Sequence, residues 1–221
     1  MKITAIFLGL ILAGSACAQG ESIQTQRAHV RFTVKDAQVQ PAVYSLEIYE
    51  DGSGNFTASY MASTSDAAGQ HVDEAIHIHG PLLEQLFRTA RAHHFFAFEC
   101  EDSRRRVAYS GMKTMAYTGP DGAGSCTFNY SRDQWLNQIS DELIGVSCTL
   151  EFGVRLKQEH QYDRLALDGE LASLEDAVRD RRALEPQNIA PVLQAIAADD
   201  AVMKRARARA QTLLSEAVPA R

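Results

Sequence analysis

The feature that most limits the folds open to this chain is a change of hydrophobic period near Ser131. Upstream, Val30, Phe32 and Val34 alternate with Arg31, Thr33 and Lys35, and Tyr44, Leu46 and Ile48 alternate with Ser45, Glu47 and Tyr49. A two-residue repeat puts the apolar side chains of a strand on one face. Downstream, Leu136, Ile139, Leu143, Val146, Leu150 and Val154 recur at steps of three and four, the spacing of one helix face. A second stripe, Ile144, Cys148 and Phe152, flanks the first, so this helix needs cover from two directions. The expected fold class is α+β. An antiparallel β-sheet with one packed helix occupies 28–131, and an all-helical C-terminal part, 132–221, docks on the sheet through a long helix.

Local signals divide these regions further. Asp51, Gly52, Ser53 and Gly54 form a turn before Phe56, Ala58 and Tyr60 alternate again, so 42–61 reads as a hairpin. Residues 62–73 lack a period and read as a loop, and 74–79 as a strand. Pro81 opens a helix carrying Leu83, Leu86, Phe87 and Ala90, with Phe95 and Phe96 anchoring its exit. Three further strands are expected over Arg106–Ser110, Lys113–Thr118 and Ser125–Tyr130. Ser131 and Asp133 are candidate caps for the long helix, Asn188 for a short helix through Ile196, and Asp199 and Asp200 for the last helix.

The N-terminus carries an address. Lys2, the apolar run Ile3–Ala13 and the small residues Ala16 and Ala18 read as a secretory signal peptide over 1–18, followed by a loose leader over 19–27. The apolar run is too short to span a bilayer. Cys17 offers an alternative, a lipid-anchored protein, but Gly14 stands where that signal wants an aliphatic residue. Export to the periplasm or outside the cell is therefore the expected localisation. Removal of Cys17 leaves Cys100, Cys126 and Cys148 in an oxidising compartment, and one disulfide plus one thiol is the simplest arrangement. Cys100 with Cys126 is the expected pair, because Cys148 sits inside the helical pattern.

The 221 residues carry 22 basic and 28 acidic side chains, so no global basic field exists to gather nucleic acid. His77 and His79 have metal-ligand spacing on a strand, yet no third ligand stands at a diagnostic distance, and no cofactor is expected. Ser110 and Lys113 spell the S-x-x-K of penicillin-recognising serine enzymes. The companion S-D-N and K-T-G motifs are missing, and the tetrapeptide bridges two strand signals, so it is expected to be incidental. Asp51, Ser53 and Asn55 imitate a calcium loop that Phe56 and Ala62 spoil. Lys204, Arg205, Arg207 and Arg209 form a basic set on the last helix, a possible contact patch for another envelope protein or an acidic surface.

Three runs carry a resemblance: YSLEIYEDGSG from Tyr44, RAHHFF from Arg91 and YTGPDG from Tyr117. Together they resemble exported bacterial proteins of unknown function, over about residues 28–215. The resemblance implies a strand–turn–strand opening followed by a helix and further strands, and an envelope location. It supplies no activity and no catalytic residues. Residues 189–202 are similar to one unit of a HEAT-type repeat, which implies a helical hairpin. The expected function is an exported binding or envelope-associated module without recognisable catalytic machinery. An exported hydrolase with a site assembled from distant residues, or a carrier of a small apolar ligand, are the alternatives.

Overall fold

The computed structural model describes residues 27–61, 69–104 and 106–217, so the signal-peptide reading and Cys17 lie outside the described residues. Six strands form one antiparallel sheet: β1 (His29–Lys35), β2 (Val43–Tyr49), β3 (Ser53–Ser59), β4 (His71–His77), β5 (Met112–Gly119) and β6 (Gly122–Phe128). Their order is β4-β3-β2-β1-β5-β6. Alternation in the sequence becomes a two-sided sheet through the register. Phe32 lies opposite Leu46 and Met115, Leu46 opposite Phe56, and Met115 opposite Cys126. That apolar row crosses five strands on one face and is buried throughout.

The helices stack on the dry side of the sheet: α2 (Gln134–Tyr162) meets β2, α1 (Gly80–Ala92) packs on α2, α3 (Leu167–Arg179) and α4 (Ala190–Ala198) also pack on α2, and α5 (Lys204–Glu216) packs on α3 and α4. The 29 residues of α2 extend about 43 Å. Its first stripe is buried from Leu136 to Val154, while Phe152 of the second stripe is buried and Ile144 and Cys148 are half-covered. The two stripes thus meet sheet and later helices as their spacing requires. The buried side chains run without a break from Val30 in β1 to Leu213 in α5. No helix among the described residues is long and apolar enough to cross a membrane.

The exit of α1 is built from strained backbone. His94, Phe95 and Phe96 all have positive φ, a region that costs residues with a Cβ about 1 kcal/mol or more each. Packing offsets that cost. Phe96 is fully buried, Phe95 stacks on Tyr117 with centroids 5.0 Å apart, and His93 stacks on Trp135 at 3.8 Å. A Cβ on Gly122 would enter the Phe95 ring, and one on Gly124 would meet the Phe95 carbonyl and Ala97. The glycines of β6 therefore let this segment lie against the dry face of β6 and β5, where it packs on Tyr117.

Several local expectations are corrected. Arg106–Ser110 alternates but is not a strand: β5, which follows it in the chain, already has β1 and β6 as its two neighbours. Val107 and Tyr109 remain exposed, and Asn129 ties the segment down instead, its Nδ2 donating to the Ala108 carbonyl. β4 begins at His71 rather than 74, because Asp73 and Val72 pair with Thr57 and Ala58. β6 begins at Gly122, since Gly122 and Gly124, taken for a loop, continue the ladder opposite Gly119 and Tyr117. Ser131 Oγ accepts from the Asp133 amide at 3.2 Å and shapes the turn before α2, but neither side chain caps the helix.

Asn188 does not cap α4, and Asp199 and Asp200 do not cap α5. Asp199 accepts from the Ala201 amide at 2.9 Å and from His160 Nε2 at 2.9 Å, fixing the bend between those helices. Asn188 has a long-range task. Its Oδ1 accepts the His77 amide at 2.7 Å and its Nδ2 donates to the His77 carbonyl at 3.1 Å, so one side chain imitates a strand partner at the β4 edge.

Candidate functional site

Burying one face of the sheet leaves the other to water, as antiparallel sheets permit. The register turns this face into ordered rows. Thr127, Thr114, Thr33, Ser45, Thr57 and Asp73 stand side by side across all six strands, five hydroxyls and a carboxylate. Thr33 and Ser45 share a hydrogen bond at 3.1 Å, and Thr114 and Thr127 one at 3.0 Å. The neighbouring row holds Arg31, Glu47 and Asn55, and the next His29, Tyr49, Ser53 and His77. No described helix covers these rows.

The polar groups hold one another in place. Arg31 Nε donates to Glu47 Oε2 at 3.0 Å, Tyr49 donates to Glu47 Oε1 at 2.8 Å, and Asn55 Nδ2 donates to Asp73 Oδ1 at 2.7 Å. Despite some desolvation, the bonds from Arg31 and Tyr49 hold the Glu47 carboxyl below its ordinary range. A depression of about 340 Å³ lies among Arg31, Ser45, Glu47, Asn55 and Thr57. His29 and Tyr49 rings meet 5.4 Å apart beside it, with Arg27 over Tyr49.

The residues singled out in the sequence take separate places. His77 ends β4 on the open face, and His79 precedes α1, their rings 4.3 Å apart. His79 Nδ1 lies 3.1 Å from Gln187 Nε2 and 3.4 Å from Glu185 Oε2, so the helical arm occupies it. Among the described residues no three His, Cys, Asp or Glu side chains converge on a metal position. Cys100 and Cys126 stand at disulfide distance with Cα atoms 5.9 Å apart, and Cys148 is free. Asp51 serves its turn, accepting from the Ser53 amide and hydroxyl.

The basic set on α5 is largely compensated within the chain. Arg205 and Arg209 donate to Asp168 Oδ1 at 2.8 and 3.2 Å, Arg209 also pairs with Glu175, and Arg207 with Asp200. Ser110 and Lys113, by contrast, do meet. Lys113 is buried and its Nζ reaches Ser110 Oγ at 3.4 Å and the Asn129 carbonyl at 2.8 Å.

A further cluster escaped sequence reasoning. Arg91 donates to Glu50 at 2.7 Å, to Asp121 at 2.6 Å and to the Tyr117 hydroxyl at 3.3 Å. Burial and the Asp121 hydrogen bond raise the Tyr117 phenol to about 12, while Tyr117 and Arg91 hold Asp121 low. One signal pointed there: each of the runs beginning at Tyr44, Arg91 and Tyr117 supplies a member. The cluster ties α1 to two hairpin turns, with every charge answered, which suits a structural tether. No protein-family profile and no curated protein sequence matches the chain.

Proposed function

We propose that the protein is an exported binding module that receives a hydroxyl-rich polymer, a neutral glycan strand, across the open face of its sheet. The observation that carries this reading is the unbroken row from Thr127 to Asp73, bordered by Arg31, Glu47 and Asn55. Strands about 4.8 Å apart repeat donors and acceptors at close to the length of one sugar ring. The charges on the face are answered by neighbours, which favours a neutral partner over an ionic one, and the Tyr49 ring supplies a flat surface beside them. Export is supported by the signal-like N-terminus and by a cysteine pair suited to an oxidising compartment. Because the α5 arginines are already paired, an acidic partner on that patch is the weaker reading.

Titration of isotopically labelled protein with a hexamer of N-acetylglucosamine and with a soluble glucan is the test. Amide shifts are expected in β1, β2 and β3. Arg31→Ala and Tyr49→Ala should each weaken binding about tenfold, while Lys204→Ala leaves it unchanged. Absence of shifts on this face with both sugars, or binding indifferent to Arg31 and Tyr49, would reject the reading.

A further inference from the structure

Lys113 is placed where a lysine is unusual. It belongs to β5 in phase with Met115 and Tyr117, so its stem points into the dry layer, and only 8% of the residue is exposed. Among the described residues it makes no ion pair. Its ammonium is satisfied by the Asn129 carbonyl at 2.8 Å and the Ser110 hydroxyl at 3.4 Å, with the Phe128 ring 5.7 Å away. A buried amine without a counterion gives up its proton more readily than a free one. Burial lowers this one, against a smaller opposing pull from Asp141 and Glu101.

Ser110 completes the arrangement from the solvent side. It is exposed, and its position is set twice by Asn129, whose Oδ1 accepts the Ser110 amide at 2.9 Å and its hydroxyl at 3.3 Å. Asn129 is itself anchored, its amide donating to Glu101. Gly111, with φ of +91°, turns the chain between the exposed hydroxyl and the inward lysine. A left-handed residue is needed there, and Val34 and Asp36 leave a Cβ little room. A nucleophile within reach of a buried base that a third group orients is the general plan of activated hydroxyls, and here the Asn129 carbonyl orients Lys113.

We propose that Ser110 and Lys113 form a nucleophilic dyad that takes acyl groups from esters, with Asn129 positioning the serine. Ser110 Oγ bonds to the ester carbonyl carbon as its proton passes to the neutral Lys113 Nζ. The carbon–oxygen bond to the alcohol then breaks, and the alcohol leaves with that proton. Water, losing a proton to Lys113, attacks the acyl carbon, releases the carboxylic acid and returns the proton to Ser110 Oγ. The exposed approach to Ser110 suits an acyl group carried on a large molecule as well as a small ester.

Full-length mature protein treated with a fluorophosphonate at pH 9 is the test, since the same hydroxyl displaces fluoride and the adduct is read by intact mass and peptide mapping. One adduct on Ser110 is expected, forming faster as pH rises from 7 to 10. Ser110→Ala should abolish it. Lys113→Met should slow it about a hundredfold, and so should Lys113→Arg, whose guanidinium keeps its proton. Trp135 fluorescence, from the only tryptophan, reports whether each variant is folded. Because Ser110 is exposed, its alanine variant keeps the test open should both Lys113 variants unfold. No adduct on folded wild-type protein, an adduct that survives Ser110→Ala, or labelling at the wild-type rate in a folded Lys113 variant would overturn the dyad.

Discussion

Glu151 illustrates how a helix that meets a sheet can hold a carboxyl against its ordinary chemistry. It lies on α2 near Tyr44, Tyr60 and Cys148, and burial raises its carboxyl to about 7, with Arg155 opposing. The same burial, assisted by the nearby Glu151 charge, pushes the Tyr60 phenol up to about 12 and the Cys148 thiol above its usual range. Since the folded carboxyl holds its proton more tightly than the unfolded one, the folded state binds more protons between about pH 4.5 and 7. Stability from this group is complete below that window and is lost as pH rises through it. Glu151→Gln should therefore match wild type near pH 4 and exceed it at pH 8, by roughly 2 kcal/mol. Urea unfolding at the two pH values measures the gap, and a gap of equal size at both would remove Glu151 as its cause.

At the scale of elements, both outer strands of the sheet are held by contacts from outside it. Beside β6, the left-handed turn after α1 packs on the dry face, and the Cys100 and Cys126 pair ties the chain that follows it to the strand. At the end of the β4 edge, Asn188 takes both backbone groups of His77, and Glu185 adds a bond from the His79 amide at 3.2 Å. Open edges invite pairing between molecules, and Asn188 occupies the one edge residue it bonds. Asn188→Ala removes both hydrogen bonds to the His77 backbone and one to the Glu185 carbonyl, and should cost about 2 kcal/mol. The loss should be local: amide exchange is expected to quicken in β4 and the β3 positions paired with it while the β5 and β6 amides keep their protection. Uniform loss of protection across all six strands would mean that Asn188 acts on the whole fold rather than on the edge.

The whole molecule behaves, on this architecture, as one unit. Phe32, Leu46, Phe56 and Met115 look toward α2, whose opposite side supports α3 and α4, and the buried side chains of sheet and helices form one continuous set. Six side chains of α2, Leu143, Ile144, Val146, Cys148, Leu150 and Phe152, together contribute on the order of 10 kcal/mol from burial before chain entropy is counted. A chain ending at Tyr130 forfeits that cover. It should be aggregation-prone, while the longer protein unfolds in one transition followed equally by Trp135 fluorescence and helical circular dichroism. A monomeric, cooperatively folded fragment, or two separate transitions in the intact protein, would show that the halves are independent.

Local periodicity sufficed for the α+β class, the hairpin at 42–61, the burial of the first α2 stripe and the pairing of Cys100 with Cys126, because each depends on side-chain spacing or a small set of partners. Alternation at Arg106–Ser110 looked identical and failed, since a strand needs a paired neighbour as well as a period, and pairing is a property of the assembled sheet. Asn188 carried the chemistry of a helix cap yet bonds a peptide 111 residues away, because the approach of the arm to β4 offered a competing partner. The hydroxyl row was present as isolated Thr and Ser residues in five strands. Only the register, set by burial of the opposite face, lined them up. Ser110 and Lys113 were legible as a motif, but whether the lysine points into the dry layer or out to water depends on which face of β5 the helices cover, and tertiary packing alone decided that.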